Sequence, residues 1–400
     1  MTQYELHQCL VEYASGVWGD EDLTNGISVL RSTNFKNDGR LDLSKRTYRN
    51  IPVDVKKKKI LKPKDILLEK SGGSPKQPVG RVCYFDDEEP HMCGNFIAFL
   101  RVDTNICLPR YLFWVLHNLY KRGSTLQLQK QTTGIRNLDY KRYLKQKITL
   151  PSLKEEQQRI VEILDRAENI RRLRQQAIET TQRIAPALFY EMFGNPVRNE
   201  KGWEEQVLAD IIERFEGGRS VAASADGQDT NRYRVLKISA VTSGYYQPDE
   251  SKVLPASYQP EESHIVKNGD LLFSRANTSQ LVGATAYVFD TPDKMLLPDK
   301  LWRFVWKRDA VVEPLYIWAM LQTGEMRQKL SSLSSGTGGS MKNISQRKLK
   351  TMSIPLPPIE LQRQYTHTYM KILSCTKLLD GAKHTSQRLS SALSAQLLAA

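Results

Sequence analysis

One stretch of this sequence, Lys154 to Gly194, most limits what the chain can become, because it returns at the chain's end. Its stripe residues fall at Ile160, Ile163, Ala167, Ile170, Ala177, Thr181, Ile184 and Leu188. Steps of three, four and seven lay these along one side of a helix, in a heptad-like pattern. The residues between are Glu, Arg and Gln, which favour helix, and no glycine interrupts before Gly194. Roughly 35 residues at ~1.5 Å each make a rod about 50 Å long, too long to lie across one small domain. Pro186 is expected to kink or weaken the last turns. The echo is direct: Thr181-Gln182-Arg183-Ile184 returns as Ser386-Gln387-Arg388-Leu389, and Ala187-Leu188 as Ala392-Leu393. The second stripe runs Leu361, Tyr365, Thr368, Ile372, Cys375, Leu379, Ala382, Ser386, Leu389 and Leu393. A narrow apolar seam needs another seam to cover it, so the two helices are expected to pack on each other.

The self-similarity extends over the whole chain at a period of about 205 residues, which means domain duplication and not a solenoid. Leu6 to Gly16 matches Leu208 to Gly218, each read as a short amphipathic helix ended by glycine. Ile27 to Phe35 matches Tyr233 to Val241, two β-branched strands with a cation, Arg31 or Lys237, at the centre. Leu61 to Gly73 matches Ile265 to Ser279: an Asp turn, at Asp65 or Asp270, then an apolar strand ending on Lys70 or Arg275. Helices begin at Pro109 and Pro314, where proline's missing N–H costs nothing. Their aromatics, at helical spacing, read as core. A polar loop follows, Gln131 to Leu138 or Gly336 to Ile344, and then a strand and a proline turn lead into the long helix. The fold class expected is α+β, with two mixed domains and two long helices. The boundaries are 1–152 and 195–358 for the domains, 153–194 and 359–400 for the helices.

No catalytic set emerges. The sequence has neither GxxxxGK[ST] nor a GxGxxG after a strand. Its six histidines are scattered, and Asp249-Glu250-Ser251-Lys252, the nearest thing to a nuclease fragment, has no first-half copy and reads as a solvated turn. The five cysteines form no CxxC pair and read as buried thiols of a reducing compartment. The N-terminus has no basic start and apolar core, so no signal peptide is expected; no run approaches the ~18 apolar residues of a membrane span. What remains is charge. The chain carries a formal +14, which favours polyanions, and nucleic acid is the polyanion to expect in the cytoplasm. The glycine-bearing loops, with Gly134, Gly338 and Gly339, let backbone amides approach phosphates. Arg136, Asn137, Lys342 and Asn343 can reach base edges. Lys141, Arg142, Arg347 and Lys348 would neutralise phosphates beside them. Lys56 to Lys59 has no second copy and is either a phosphate patch or a charged strand rim. A stand-alone site-specific endonuclease and a helical protein-binding scaffold are the competing classes.

These features resemble the specificity subunit of type I restriction-modification enzymes. The resemblance is carried by Glu156-Gln157-Gln158-Arg159-Ile160 after a proline turn, by Ala187 to Gly194, and by the second turn at Pro357-Pro358. It is also carried by Gly269 to Arg275 and by Gly16-Val17-Trp18-Gly19. It implies two target-recognition domains in inverted, pseudo-twofold arrangement, joined by two antiparallel helices that act as a coiled-coil spacer. Each domain would read half of a split double-stranded DNA target, with Arg31, Lys70, Lys237 and Arg275 joining the loop residues. The chain would have no catalysis and bind no cofactor. Two modification subunits would bring adenosylmethionine and methylate adenine, and restriction subunits would use ATP and Mg. Tyr190 and Phe193 are the expected contacts to the modification subunits. Two departures stand out: the first half lacks a counterpart to Trp203 to Val207, and the distal helix lacks the aromatic end of the central one.

Overall fold

The computed structural model describes residues 1–132, 135–222, 232–336 and 341–398, apart from the side chains of 131, 132, 182 and 382–391. The chain divides into two units, Met1–Gln175 with Gly381–Ala400, and Gln176–Asp380. Two long helices contribute to both: the central helix Lys154–Phe193 and the distal helix Ile359–Leu397. No helix among the described residues is long and apolar enough to cross a membrane.

In the first unit the main sheet is antiparallel throughout, in the order Leu10–Ser15, Ile97–Val102, Ile66–Glu69, Val82–Tyr84. The second unit repeats it as Ile212–Gly217, Leu301–Trp306, Leu271–Ser274, Thr285–Tyr287. Each has a smaller sheet whose middle strand, Ile27–Leu30 or Arg234–Leu236, has one antiparallel and one parallel neighbour. The helix Pro109–Lys121 or Pro314–Gln322 buries its aromatics in the core; Tyr111, Phe113, Tyr316 and Trp318 are all under 4% exposed.

Several expectations are corrected. Leu6 to Gly16 and Leu208 to Gly218 are a single helical turn followed by a strand, because Leu10–Ser15 and Ile212–Gly217 find an open edge beside Ile97–Val102 and Leu301–Trp306. Gly16 and Gly218 are there for close approach: a Cβ would lie 2.0 Å from the Cys93 carbonyl or 1.7 Å from that of Leu297. The cations Arg31 and Lys237 sit just past their strands, where each begins a 3-10 turn. Thr2–Glu5, paired with Lys147–Leu150, is the first-half counterpart of Glu205–Val207, which pairs with Ser353–Pro355. Lys56 to Lys59 lie in a short helix, Val53–Lys59, and not on a strand rim. Four cysteines are buried as expected, but Cys375 is exposed.

The central helix runs without interruption past Pro186. Its buried line passes through Ile160, Leu164, Ile178 and Phe189, while Ile170 and Ile184 are 48% and 45% exposed. A straight helix turns every 3.6 residues and drifts from a 3.5-residue heptad frame, so a strict heptad reading slips by one position.

One repeated contact fixes each long helix to its unit. Gln157 is 0% exposed. It accepts from the Leu108 amide at 2.8 Å and donates to the Pro151 carbonyl at 2.9 Å. Gln362 is 1% exposed and does the same with the Glu313 amide at 3.0 Å and the Pro357 carbonyl at 2.8 Å. Leu108 and Glu313 are the residues that open the aromatic helices, so a single amide ties helix start, proline turn and long helix together. A second pair stabilises the strands. Asp65 accepts from Arg101 at 2.8 and 2.9 Å, and Asp270 from Arg303 at 3.1 Å; each also accepts from a turn amide, Lys62 or Lys267, at 2.8 Å. Burial pushes both carboxyls above the usual range even beside their arginines.

At one matched place the units differ. Gly39 and Gly244, at φ +83° and +84°, close over His117 and Gln322. Gln322 donates to the carbonyls of Thr285 at 2.7 Å and Gly244 at 3.2 Å. His117 has its Nδ1 buried with no partner among the described residues. Burial, with Lys121 close by, pushes its imidazole down to about 4.

Two outcomes follow. Replacing Gln157 by Leu strands a buried amide and a buried carbonyl, so the full chain should lose about 2–4 kcal/mol in urea unfolding; a loss under about 0.5 kcal/mol would contradict the role given to the side chain. Folded His117 resists protonation that the unfolded chain accepts below pH ~6.5, so stability falls with pH there. Between pH 6.5 and 5 the wild type should lose about 1.5 kcal/mol relative to His117→Gln; superimposable pH profiles would contradict this.

Candidate nucleic-acid interface

Both units present a cationic edge built by the same backbone bonds. In the first, the strand Ser71–Gly73 follows directly on Ile66–Glu69 and pairs with Ile135–Leu138, which in turn pairs with Gln129–Thr132. The buried Leu138 anchors this hairpin by donating its amide to the Lys70 carbonyl at 2.8 Å. In the second, Ala276–Asn277 pairs with Lys342–Asn343, and buried Ile344 donates to the Arg275 carbonyl at 2.9 Å. The polar loop is thus tied to the cation that ends the adjacent strand, in both halves.

A short helix follows each edge. Asp139 accepts from the Arg142 amide at 3.2 Å and starts Tyr140–Leu144; Ser345 accepts from the Lys348 amide at 3.3 Å and starts Gln346–Lys350. Lys141, Arg142, Arg347 and Lys348 stand exposed on these helices. Leu144 and Leu349 turn inward and hold the helices down.

The expected residues are not equally available. Arg136 is half-buried, opposite Gly73. Asn137 accepts from the Ser71 hydroxyl at 2.5 Å, so its amide is already oriented within the sheet. Lys342 donates to the Gly336 carbonyl at 2.7 Å, and Asn343 is exposed. Gly134, Gly338 and Gly339 lie outside the described residues. Arg31 is exposed, whereas Lys237 lies 3.6 Å from Glu250. That glutamate also accepts from Ser239 at 2.6 Å, which accounts for the Asp249 to Lys252 fragment as an ion-paired turn. Lys70 is half-buried, and desolvation lowers its ammonium pKa. Arg275 donates to the Asp299 carbonyl at 2.9 Å with its guanidinium 5.7 Å from the Trp302 ring, so it is held by its own unit.

Of the two expected partner contacts, Phe193 is corrected. It is 2% exposed, with Tyr316 and Tyr365 rings at 4.8 and 5.4 Å, and belongs to the core. Tyr190 keeps a 38% exposed side chain, its hydroxyl donating to Glu325 at 2.8 Å. One repeat period later the distal helix carries Ser394, Ala395 and Leu398 in place of Phe189, Tyr190 and Phe193. In the first unit a cavity of about 580 Å³ opens beside Ser394, Trp114 and His117; in the second, aromatic packing leaves about 360 Å³ beside Phe189 and Trp318. Among the described residues no group of three His, Cys, Asp or Glu side chains could hold a metal ion. The sequence reading passed over two exposed aromatics of the first unit, Trp18 and Phe96, at 43% and 46%. The Gly16-Val17-Trp18-Gly19 string, an indole between glycines just after a strand, was the available signal.

Comparison with known proteins accords with this duplicated architecture. The family model for the type I restriction modification DNA specificity domain matches residues 20–181 and again 200–384. The specificity subunit of the type I restriction enzyme EcoEI of Escherichia coli is 32% identical over 197 residues, which is 48% of this chain and 33% of that protein. The EcoKI specificity subunit of E. coli strain K12 is 23% identical over 354 residues, 84% of this chain and 73% of that protein. The alignments thus span a third of the EcoEI subunit and nearly three quarters of the EcoKI subunit. The crystal structure of a type I restriction-modification S subunit from M. genitalium superposes with a TM-score of 0.60 at 13% identity, covering 99% of this chain and 96% of that one. A chain from a study of complex assembly and conformational transition of the type I R-M system gives 0.58 at 15%, covering 99% and 97%. At such identities the likeness is one of fold. Two tandem matches to one model, over most of the sequence, place this chain in the type I restriction-modification DNA specificity family.

Proposed function

We propose that this chain is the non-catalytic DNA-recognition subunit of a type I restriction-modification complex, working in the cytoplasm. Recognition domains 1–152 and 195–358 each read one half of a split double-stranded target. The helices 153–194 and 359–400 pair antiparallel as a coiled-coil spacer, relate the domains by a pseudo-twofold axis and set the gap between half-sites. Two modification subunits dock on them, with Tyr190 at one contact. They supply adenosylmethionine and methylate adenine, and restriction subunits supply ATP- and Mg-dependent cleavage.

The observation that carries this reading is duplication down to single hydrogen bonds: the same cationic edge, the same capped short helix and the same glutamine tie occur once per unit. Two copies of one reading surface suit a target in two parts. The make-up of the units supports the antiparallel pairing, because the first takes in the start of the central helix and the end of the distal one, and the second the reverse. Arg136, Asn137, Lys342 and Asn343 are assigned to base edges. Arg31, Lys141, Arg142, Arg347 and Lys348 are assigned to phosphates. Lys70, Lys237 and Arg275, held by their own units, position the edges and add to the field.

Long-read methylation profiling of a host that expresses the modification subunit, with and without this chain, tests the reading. Methylated adenine should appear only with the chain, in a motif of two specified halves around an unspecified gap. No methylation, or one contiguous motif, would overturn it. Within that assay Arg136→Ala should relax one half-site by ~1–3 kcal/mol, whereas Lys348→Ala should weaken binding to all sequences and flatten the salt dependence.

A further inference from the structure

Trp18 and Phe96 sit at one cavity of about 410 Å³, whose other lining residues include Arg31, Ser32, Thr33 and Asn95. That volume is within the roughly 300–1,000 Å³ of small-molecule sites. Trp18 carries the Arg49 guanidinium 4.2 Å from its ring centroid. Gly94 lies beside it, where a Cβ would touch the indole at 3.4 Å. Phe96 is fixed by its carbonyl, which accepts from Lys70 at 2.9 Å and Ser71 at 3.2 Å. Its ring lies 3.3 Å from where a Cβ of Gly72 would be. Gly72 belongs to the strand that pairs with Arg136 and Asn137, so the cavity adjoins the cationic edge.

Among the described residues, the second unit places other side chains at the matching positions. Its bond from Arg275 to the Lys300 carbonyl matches the bond from Lys70 to Phe96, so lysine stands where the phenyl ring is. The Leu297 carbonyl faces Gly218 as that of Cys93 faces Gly16, which puts Pro298 in the place of Gly94 and Ser220 in that of Trp18.

Exposed aromatic rings, short hydroxyl and amide side chains and flanking arginines form the combination that holds a base by stacking, by its polar edge and by its phosphate. We propose that the first unit carries an aromatic slot for one nucleobase, drawn out of the DNA stack in the half-site that unit reads, and that the second half-site is read without one. The proposal rests on the DNA-recognition reading above. Charge complementarity selects the occupant: Arg31 borders the slot, Arg49 backs it, and Lys70 and Arg136 lie on the adjoining edge.

The test is selection of randomised duplexes by the complex of full chain and modification subunits, followed by affinity measurement on the enriched duplex. The wild type should enrich two half-sites. Trp18→Ala or Phe96→Ala should weaken affinity roughly 5- to 150-fold and flatten preference at one position of one half-site. The other half-site should stay intact, which also shows that the variant is folded, and Trp18→Phe should retain most of the affinity. A mismatch at the affected position should tighten binding by the wild type, since an unpaired base leaves the stack more easily, and should not help Trp18→Ala. Unchanged affinity and unchanged half-sites in both alanine variants would overturn the slot. So would loss of complex assembly in the absence of DNA, which would make the rings a protein contact. Failure of the wild type to enrich any sequence would overturn the recognition reading itself.

Discussion

Everything in the two units hangs from a buried glutamine. Gln157 and Gln362, themselves buried, each commit both polar atoms to backbone groups, an opening amide of the aromatic helix and a proline carbonyl. A buried donor and acceptor must be satisfied, and here a single side chain does so while joining the start of the domain's packed helix to the proline turn that leads into the long helix. Where the long helix starts is therefore fixed relative to the sheet and to the cationic edge. An apolar residue of the same size would fill the space but leave both backbone groups unpaired.

Much of this was legible in the sequence because the duplication doubles every weak signal. A strand with a terminal cation, a proline-started helix and a polar loop each mean little once; at a fixed period they define a domain. The misses have specific causes. Leu10–Ser15 follows a helical turn without any breaker, and only the open sheet edge makes it a strand. Thr2–Glu5 escaped because it shares only a Gln and a Glu with Glu205–Val207; the pairing partner makes the strands equivalent. The exposed Ile170 and Ile184 show that a heptad count on a straight helix drifts off the buried side. In the candidate interface the residue types were legible, but their availability was not: Asn137 and Arg275 are committed within their own unit by Ser71 and Asp299, partners about 66 and 24 residues away. Trp18 and Phe96 answer to Ser220 and Lys300 in the second unit, so repetition does not mark them as functional.

The differences between the halves bear on function as much as the repeats do. The second unit closes its helix end with Phe189, Phe193 and Tyr365, while the first leaves a wider polar cavity beside Ser394. His117 stands where Gln322 would satisfy its neighbours. If, as proposed, each unit reads its own half-site, the two units need not be identical. The shared features include the glutamine ties and the cationic edges; the divergent ones lie in the cavity beside Ser394 and in the proposed base slot.

If the glutamine ties make each recognition domain follow its helix, the length of the helices decides the distance between half-sites. Inserting four residues in the middle of both the central and the distal helix lengthens each by about 6 Å, or roughly two base pairs at ~3.4 Å. Methylation mapping of the host should then return the two original half-sites with a gap longer by about that amount. Original half-sites at the original gap would contradict the account.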